Sequence, residues 1–171
     1  MNAPYVIGAS CELLVDEHYV SALRQAIQTS VRRCYCTMFI IDLKTRCVQN
    51  CVSNVLDDLG EAVWRGVDVR VLIGGSRSTF EIAEAAAIAV AHLEARSVPS
   101  RWLTEEKGVR GSHSKIVVAD ESVLLGSHNW SPGSFQSDVQ DSVLIRSAPL
   151  AEYMASQIER RWAEAASDAH G

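Results

Sequence analysis

The stretch His113-Ser-Lys115-Ile-Val-Val-Ala-Asp120, continued as Glu121-Ser-Val-Leu-Leu-Gly126-Ser127-His128-Asn129, decides how this chain folds. Lys115-Ile-Val-Val-Ala is apolar and β-branched, which predicts a buried strand. Residues two apart on a strand share a face, so His113 and Lys115 project together. Asp120-Glu121 predicts a turn, and Ser122-Val-Leu-Leu-Gly126 the returning strand. Such a hairpin carries Ser127 and Asn129 back towards His113 and Lys115.

These residue types suit attack on a phosphodiester. An imidazole can attack phosphorus and form a covalent phosphoramidate, splitting one difficult displacement into two easier ones. Lys115 offers a compact positive charge to the non-bridging phosphate oxygens. The Asn129 amide and the Ser127 hydroxyl can donate hydrogen bonds to the same oxygens. Donors fixed in advance act where charge develops in the transition state. The leaving alkoxide also needs a proton, so a second group must serve as general acid. No second H-x-K occurs in the chain.

The spacing resembles the signature of the phospholipase D superfamily, H-x-K-x4-D followed by G-S-x-N, with Asp120 and Gly126 six positions apart as that pattern has them. A bare H-x-K-x4-D arises by chance in on the order of one chain in a hundred, and the fixed Gly, Ser and Asn lower that by several orders of magnitude. The resemblance implies an α/β fold with a mixed β-sheet sandwiched between helices, one motif per chain. It also implies a site built from two motifs, one histidine being the nucleophile and the other the acid. A chain with one copy then requires a homodimer with both copies of His113 at one site, a geometry that a twofold axis allows. Two such histidines titrate as a coupled pair, one neutral and one protonated in the active form.

The family also places a carboxylate after the Asn, bonded to the histidine of the motif and usually Glu in short nuclease-like members. Here Asp141 stands there, one carbon shorter, with Asp138 a weaker substitute. In the family Asp120 is mostly structural. The resemblance therefore assigns His113, Lys115, Asn129 and Asp141 to catalysis. Ser127, Lys115 and Asn129 bind substrate, Asp120 and Gly126 shape the motif, and neither metal nor cofactor is called for.

The 171 residues predict a single domain over 1–171, with residues 166–171 as a frayed tail. No apolar run reaches the length of a membrane span, and the N-terminus lacks the basic and apolar regions of a secretory signal. The expectation is a cytoplasmic protein without stable membrane association. The net charge of −5 is unusual for a nucleic-acid binder, which normally carries a basic patch. Local basic groups remain: Arg96, Arg101, Lys107 and Arg110 before the motif, and Arg70 and Arg77 around an earlier loop. Their ordinary reading is solvated surface charge. Among the five cysteines, Cys11, Cys34, Cys36, Cys47 and Cys51, the spacing is poor for zinc. Cys34 and Cys36 sit in an apolar run and read as buried thiols.

Along the chain, Val20, Leu23, Ala26 and Ile27 predict an amphipathic helix over 17–30. A strand follows over 34–41. A helix over 52–65 turns Val55, Leu59, Val63 and Trp64 inward and stops at Gly66. Val67 to Ile73 is a strand, and Thr79 caps an Ala-rich helix ending near Arg96. Short strands over 97–103 and 139–145 and a closing helix over 150–165 complete an alternating α/β pattern. The loop Gly74-Gly-Ser-Arg-Ser78 reads either as a plain turn or as amides for a phosphate. His128 reads as a wall or surface residue. Trp130 and Phe135 read as core or interface, with base stacking as the functional alternative.

Three functions compete. The first is a metal-independent nuclease working through phosphohistidine in a homodimer, suggested by the short single-motif format of the small endonuclease branch. The second is a phospholipid hydrolase or phosphatidyltransferase, which needs a membrane-docking surface that the sequence does not display. The third is a phosphate-binding regulatory module without turnover.

Overall fold

The computed structural model describes residues 8–43, 52–75, 79–103 and 112–165. Lys107, Arg110, Arg77, Cys47, Cys51 and the tail lie outside these residues. Among the described residues seven strands form one mixed sheet in the order β1-β7-β6-β5-β2-β3-β4. They are β1 (Ser10–Val15), β2 (Arg33–Met38), β3 (Asp68–Ile73), β4 (Ser100–Trp102), β5 (Lys115–Ala119), β6 (Ser122–Gly126) and β7 (Asp141–Arg146). The helices are α1 (His18–Thr29), α2 (Val52–Trp64), α3 (Phe80–Glu94), α4 (Pro132–Gln136) and α5 (Ala148–Glu164).

Side-chain alternation gives the sheet two apolar faces. Cys34, Cys36, Val71, Val117, Ala119, Leu124 and Leu144 pack under α1, α2 and α3. Tyr35, Leu72, Val118 and Val123 pack under α5 through Ala151, Ala155 and Ile158. The β5–β6 hairpin forms as its sequence predicts, pairing Ala119 with Ser122 around Asp120-Glu121. Asp120 takes φ +49 there, a left-handed conformation that Asp tolerates better than most residues.

Helices start and stop for local reasons. Gly66 takes φ +85 and its amide closes α2 on the Val63 carbonyl at 2.9 Å. Ser147 caps α5, its hydroxyl accepting from the Leu150 amide at 3.4 Å, so the helix begins two residues earlier than the apolar pattern implies. Thr79 makes no side-chain cap bond to α3, contrary to the sequence expectation. Trp64 is also a correction: it is 88% exposed rather than inward. It lies nine positions from the buried Val55, which places it about half a turn round the helix on the opposite face.

The inward face of α2 carries an acid. Asp58 is 3% exposed and receives Arg24 Nε at 2.6 Å, Arg24 Nη2 at 3.1 Å and Gln28 Nε2 at 2.9 Å. The forked guanidinium satisfies both carboxylate oxygens, the arrangement that makes a buried charge tolerable. Two elements have little sequence signal. Among the described residues β1 is an edge strand paired with β7 alone, with Leu13 64% exposed. α4 is five residues long, starting from Ser131 as N-cap and Pro132 in its first turn.

Candidate active site

The first half of the candidate site lies where β5 begins. Lys115 pairs with Met38 at the end of β2, so the next β2-side residue, Phe39, comes beneath the motif. The Phe39 ring lies 4.3 Å from the His113 ring, tilted by 49°, and 5.0 Å from Lys115 Nζ. Nζ lies 3.0 Å from His113 Nδ1 and 3.2 Å from Nε2, and it donates to the His113 carbonyl at 3.0 Å. The near-equal ring distances leave the ammonium uncommitted to either lone pair. Burial lowers the Lys115 pKa from its ordinary 10.5. The aromatic face opposes this, because a ring quadrupole attracts a cation.

The second half lies where β6 ends. Gly126 pairs with Ser142 of β7 so tightly that a Cβ would sit 2.2 Å from Ser142 Oγ and 2.5 Å from the Asp141 carbonyl. Only glycine fits that approach. The Ser127 amide donates to the Asp141 carbonyl at 2.9 Å. The Ser127 hydroxyl donates to Gln140 Oε1 and accepts from the Asp141 amide at 3.1 Å. Next, the Trp130 amide donates to the Ile40 carbonyl at 3.0 Å, and the Asp42 amide to the Trp130 carbonyl at 2.8 Å. These bonds stitch the chain after Asn129 to the continuation of β2, one residue beyond Phe39. Both halves are thereby fixed on the same short segment. Asn129 Oδ1 is buried with no hydrogen-bond partner among the described residues, an exception to the usual satisfaction of buried polar atoms.

The remaining candidates separate. Asp120 sits at the far end of the hairpin, where its carboxylate accepts the amides of Val31 at 2.8 Å, Arg32 at 2.9 Å and Arg33 at 3.1 Å. Burial alone would raise its pKa. The three amides and the Arg32 charge outweigh burial and hold it below 3.8. Asp141 lies beside Ser127 through its backbone, but its exposed carboxylate makes no hydrogen bond to His113. Asp138 is bound by the Ser137 hydroxyl at 3.5 Å and is not joined to His113 either.

Among the described residues, the basic groups noted in the sequence are engaged elsewhere. Arg96 pairs with Asp57 and donates to the His92 carbonyl, Arg70 pairs with Asp68, and Arg101 donates to the Trp162 carbonyl. The Gly74 amide donates to the Met38 carbonyl at 2.7 Å, continuing the β2–β3 pairing, while residues 76–78 of that loop lie outside the described residues. A Cβ at Gly74 would lie 2.2 Å from the Ser112 carbonyl, which brings the end of β3 against the entrance to the motif. Trp130 and Phe135 are 0% and 1% exposed, which removes base stacking as their role and makes them core. Cys34 and Cys36 are buried with their sulfurs 4.0 Å apart, and Cys11 is exposed. Among the described residues no three His, Cys, Asp or Glu side chains converge as a metal cage.

Two residues near the motif escape a sequence reading. Phe39 lies more than seventy positions before His113, and its only signal is its place at the end of an apolar strand. His128 is 0% exposed and faces the core, not the surface.

The mixed sheet between helices, with an H-x-K strand facing a G-S-x-N strand end, defines a phospholipase D-like protein. A family model described as cardiolipin synthase, phospholipase D-like domain, matches residues 23–162, and the chain belongs to this family of phosphodiesterases. No curated protein matches the sequence. Among solved structures, the phospholipase D family member Nuc from Salmonella typhimurium superposes with a TM-score of 0.75 at 18% identity, covering 92% of this chain and 97% of Nuc. NucT from Helicobacter pylori gives 0.68 at 12% identity, covering 93% and 99%. Phosphatidylserine synthase from Haemophilus influenzae Rd KW20 gives 0.66 at 16% identity, covering 87% of this chain and 36% of the synthase.

Proposed function

We propose that the chain is a metal-independent phosphodiesterase that cleaves nucleic acid through a covalent phosphohistidine, with two copies of His113 at one site in a homodimer. The observation that carries this reading is the Lys115 ammonium 3.0 Å from the His113 ring, on the segment that also anchors Asn129. A neutral His113 nitrogen attacks phosphorus while His113 of the second copy gives its proton to the leaving oxygen. The P–O bond breaks as the P–N bond forms. Water then attacks phosphorus, the second imidazole takes its proton, and the P–N bond breaks. Lys115 and Asn129 hold the non-bridging oxygens, and Ser127 joins them when its hydroxyl turns from Gln140 to the phosphate. Asp141, whose carboxylate is not bonded to His113 within one chain, is assigned to orient a histidine in the assembled site. The whole of residues 1–171 acts as one domain, in the cytoplasm.

Nucleic acid is the favoured substrate because the chain has the short single-motif format: it covers 97% of Nuc but only 36% of the phosphatidylserine synthase. The lipid reading draws support from the family model's description as a cardiolipin synthase domain. Against it, no helix among the described residues is long and apolar enough to cross a membrane, so lipid turnover would require surface docking.

The test is a cleavage panel in EDTA with single- and double-stranded DNA and RNA beside vesicles of anionic phospholipid. Cleavage of at least one nucleic acid is expected, with no release of headgroup from the vesicles. Headgroup release alone would transfer the site to lipid. Tight nucleic-acid binding without cleavage over hours would leave the non-catalytic module.

A further inference from the structure

The G-S-x-N pattern leaves its third position open, and this chain fills it with a histidine that the reaction does not use. His128 lies between Ser127 and Asn129 but points the other way, into the core. Its Nδ1 is 2.8 Å from Ser142 Oγ and its Nε2 is 3.1 Å from the Asp16 carbonyl oxygen. A carbonyl only accepts, so Nε2 carries the hydrogen, and Nδ1 accepts the Ser142 hydroxyl proton. The ring stacks on Tyr19 of α1, with centroids 4.2 Å apart and planes 8° from parallel.

Each partner of that ring is itself tied to the candidate site. Ser142 is the residue against which Gly126 packs. Asp16 has φ +48, a conformation that needs holding. Its amide donates to the Gln140 carbonyl at 3.0 Å, and its Oδ1 accepts the Gln140 amide at 2.9 Å. Gln140 in turn accepts the Ser127 hydroxyl. Tyr19 accepts the indole N–H of Trp130 at 3.2 Å, and Trp130 follows Asn129. The imidazole therefore pins the backbone between the two phosphate donors to three other segments at once.

We propose that His128 is a positioning residue for the phosphate cradle: held as the Nε2–H tautomer between the Asp16 carbonyl and the Ser142 hydroxyl, it sets Ser127 and Asn129 to face one phosphate. This rests on the phosphodiesterase reading of the site and assigns it a residue that never touches substrate. The groups facing the ring are the Asp16 carboxylate from the β1–α1 turn, Asp141 from β7 and the Tyr19 phenol from α1. Burial pushes the His128 pKa below 6.5, against the Asp16 carbonyl bond and the Asp16 and Asp141 charges that favour the cation. A histidine whose folded pKa is depressed contributes stability that is complete above the unfolded value. That contribution is lost as pH falls from about 6.5 towards the folded value, because the unfolded chain takes the proton first.

The experiment compares wild type, His128→Phe and His128→Gln. Phe keeps a ring against Tyr19 and loses both hydrogen bonds. Gln can donate to Asp16 and accept from Ser142, and does not titrate. Hydrolysis of bis-p-nitrophenyl phosphate and affinity for inorganic phosphate are read from pH 4.5 to 8, with Tm beside them. Expected for His128→Phe is roughly a tenfold or larger loss in kcat and in phosphate affinity at pH 7.5. His128→Gln should recover most of that loss and flatten the fall of Tm below pH 6.5. A His128→Phe variant with lower Tm but unchanged kcat, phosphate affinity and pH profile would reduce His128 to a core residue and overturn the proposal. If wild type turns over no phosphodiester, the phosphodiesterase reading fails. Phosphate affinity then decides alone: loss in Phe with recovery in Gln supports positioning, and no binding by wild type overturns it.

Discussion

His113→Ala is expected to lose about 10⁴-fold or more in kcat for phosphodiester cleavage, the scale on which enzymes fail without their nucleophile. The side chain is exposed and its contacts are with Phe39 and Lys115, so Tm should move little. Lys115 keeps its bond to the residue 113 carbonyl, so phosphate affinity should fall far less than turnover. The proposed homodimer adds a sharper expectation. A dimer with one wild-type and one His113→Ala subunit lacks either the nucleophile or the acid. Activity of subunits mixed under exchange should therefore follow the square of the wild-type fraction. A linear dependence would mean that each subunit works alone.

Asp120→Ala should cost the fold rather than the chemistry. The carboxylate accepts three consecutive backbone amides across the start of β2. Hydrogen bonds to a charged acceptor contribute about 1.5–3 kcal/mol each where buried. These lie partly in solvent and share one group, so a combined loss of about 2–4 kcal/mol is expected. For a chain of this length that lowers Tm by roughly 5–15 °C. Asp120→Asn, keeping one acceptor oxygen, should fall between. The folded pKa lies below 3.8, so the stabilisation is complete above that value and is lost as pH falls through the folded value. The Tm gap between wild type and Asp120→Ala should therefore narrow below pH 4. A gap that stays constant into strong acid would assign the loss to some other contact.

The hairpin was legible because two signals coincide there: short continuous apolar runs set the strands, and a two-residue Asp-Glu turn sets their register. Gly126 was legible only as part of a pattern; its reason is the Ser142 backbone pressed against it, which no local signal carries. β1 was missed because an edge strand with one neighbour buries little and need not alternate. Trp64 was misplaced by reading an apolar residue as inward, where the helical period puts it outside. Arg96 and Arg101, before the motif, read as solvated surface charges in the sequence. Their partners lie far along the chain, Asp57 for Arg96 and Trp162 for Arg101, so the sequence could not reveal that they are engaged. Phe39 carried no site signal for the same reason, and His128, which reads as a wall or surface residue in sequence, is buried by contacts that only the tertiary fold creates.

Mass spectrometry of the protein quenched in alkali during turnover reads the covalent intermediate itself, because a phosphoramidate survives base. A substrate-derived phosphoryl adduct is expected on the peptide carrying His113, absent from His113→Ala and formed in EDTA. Steady cleavage with no adduct on that peptide, or an adduct on another residue, would contradict the phosphohistidine route.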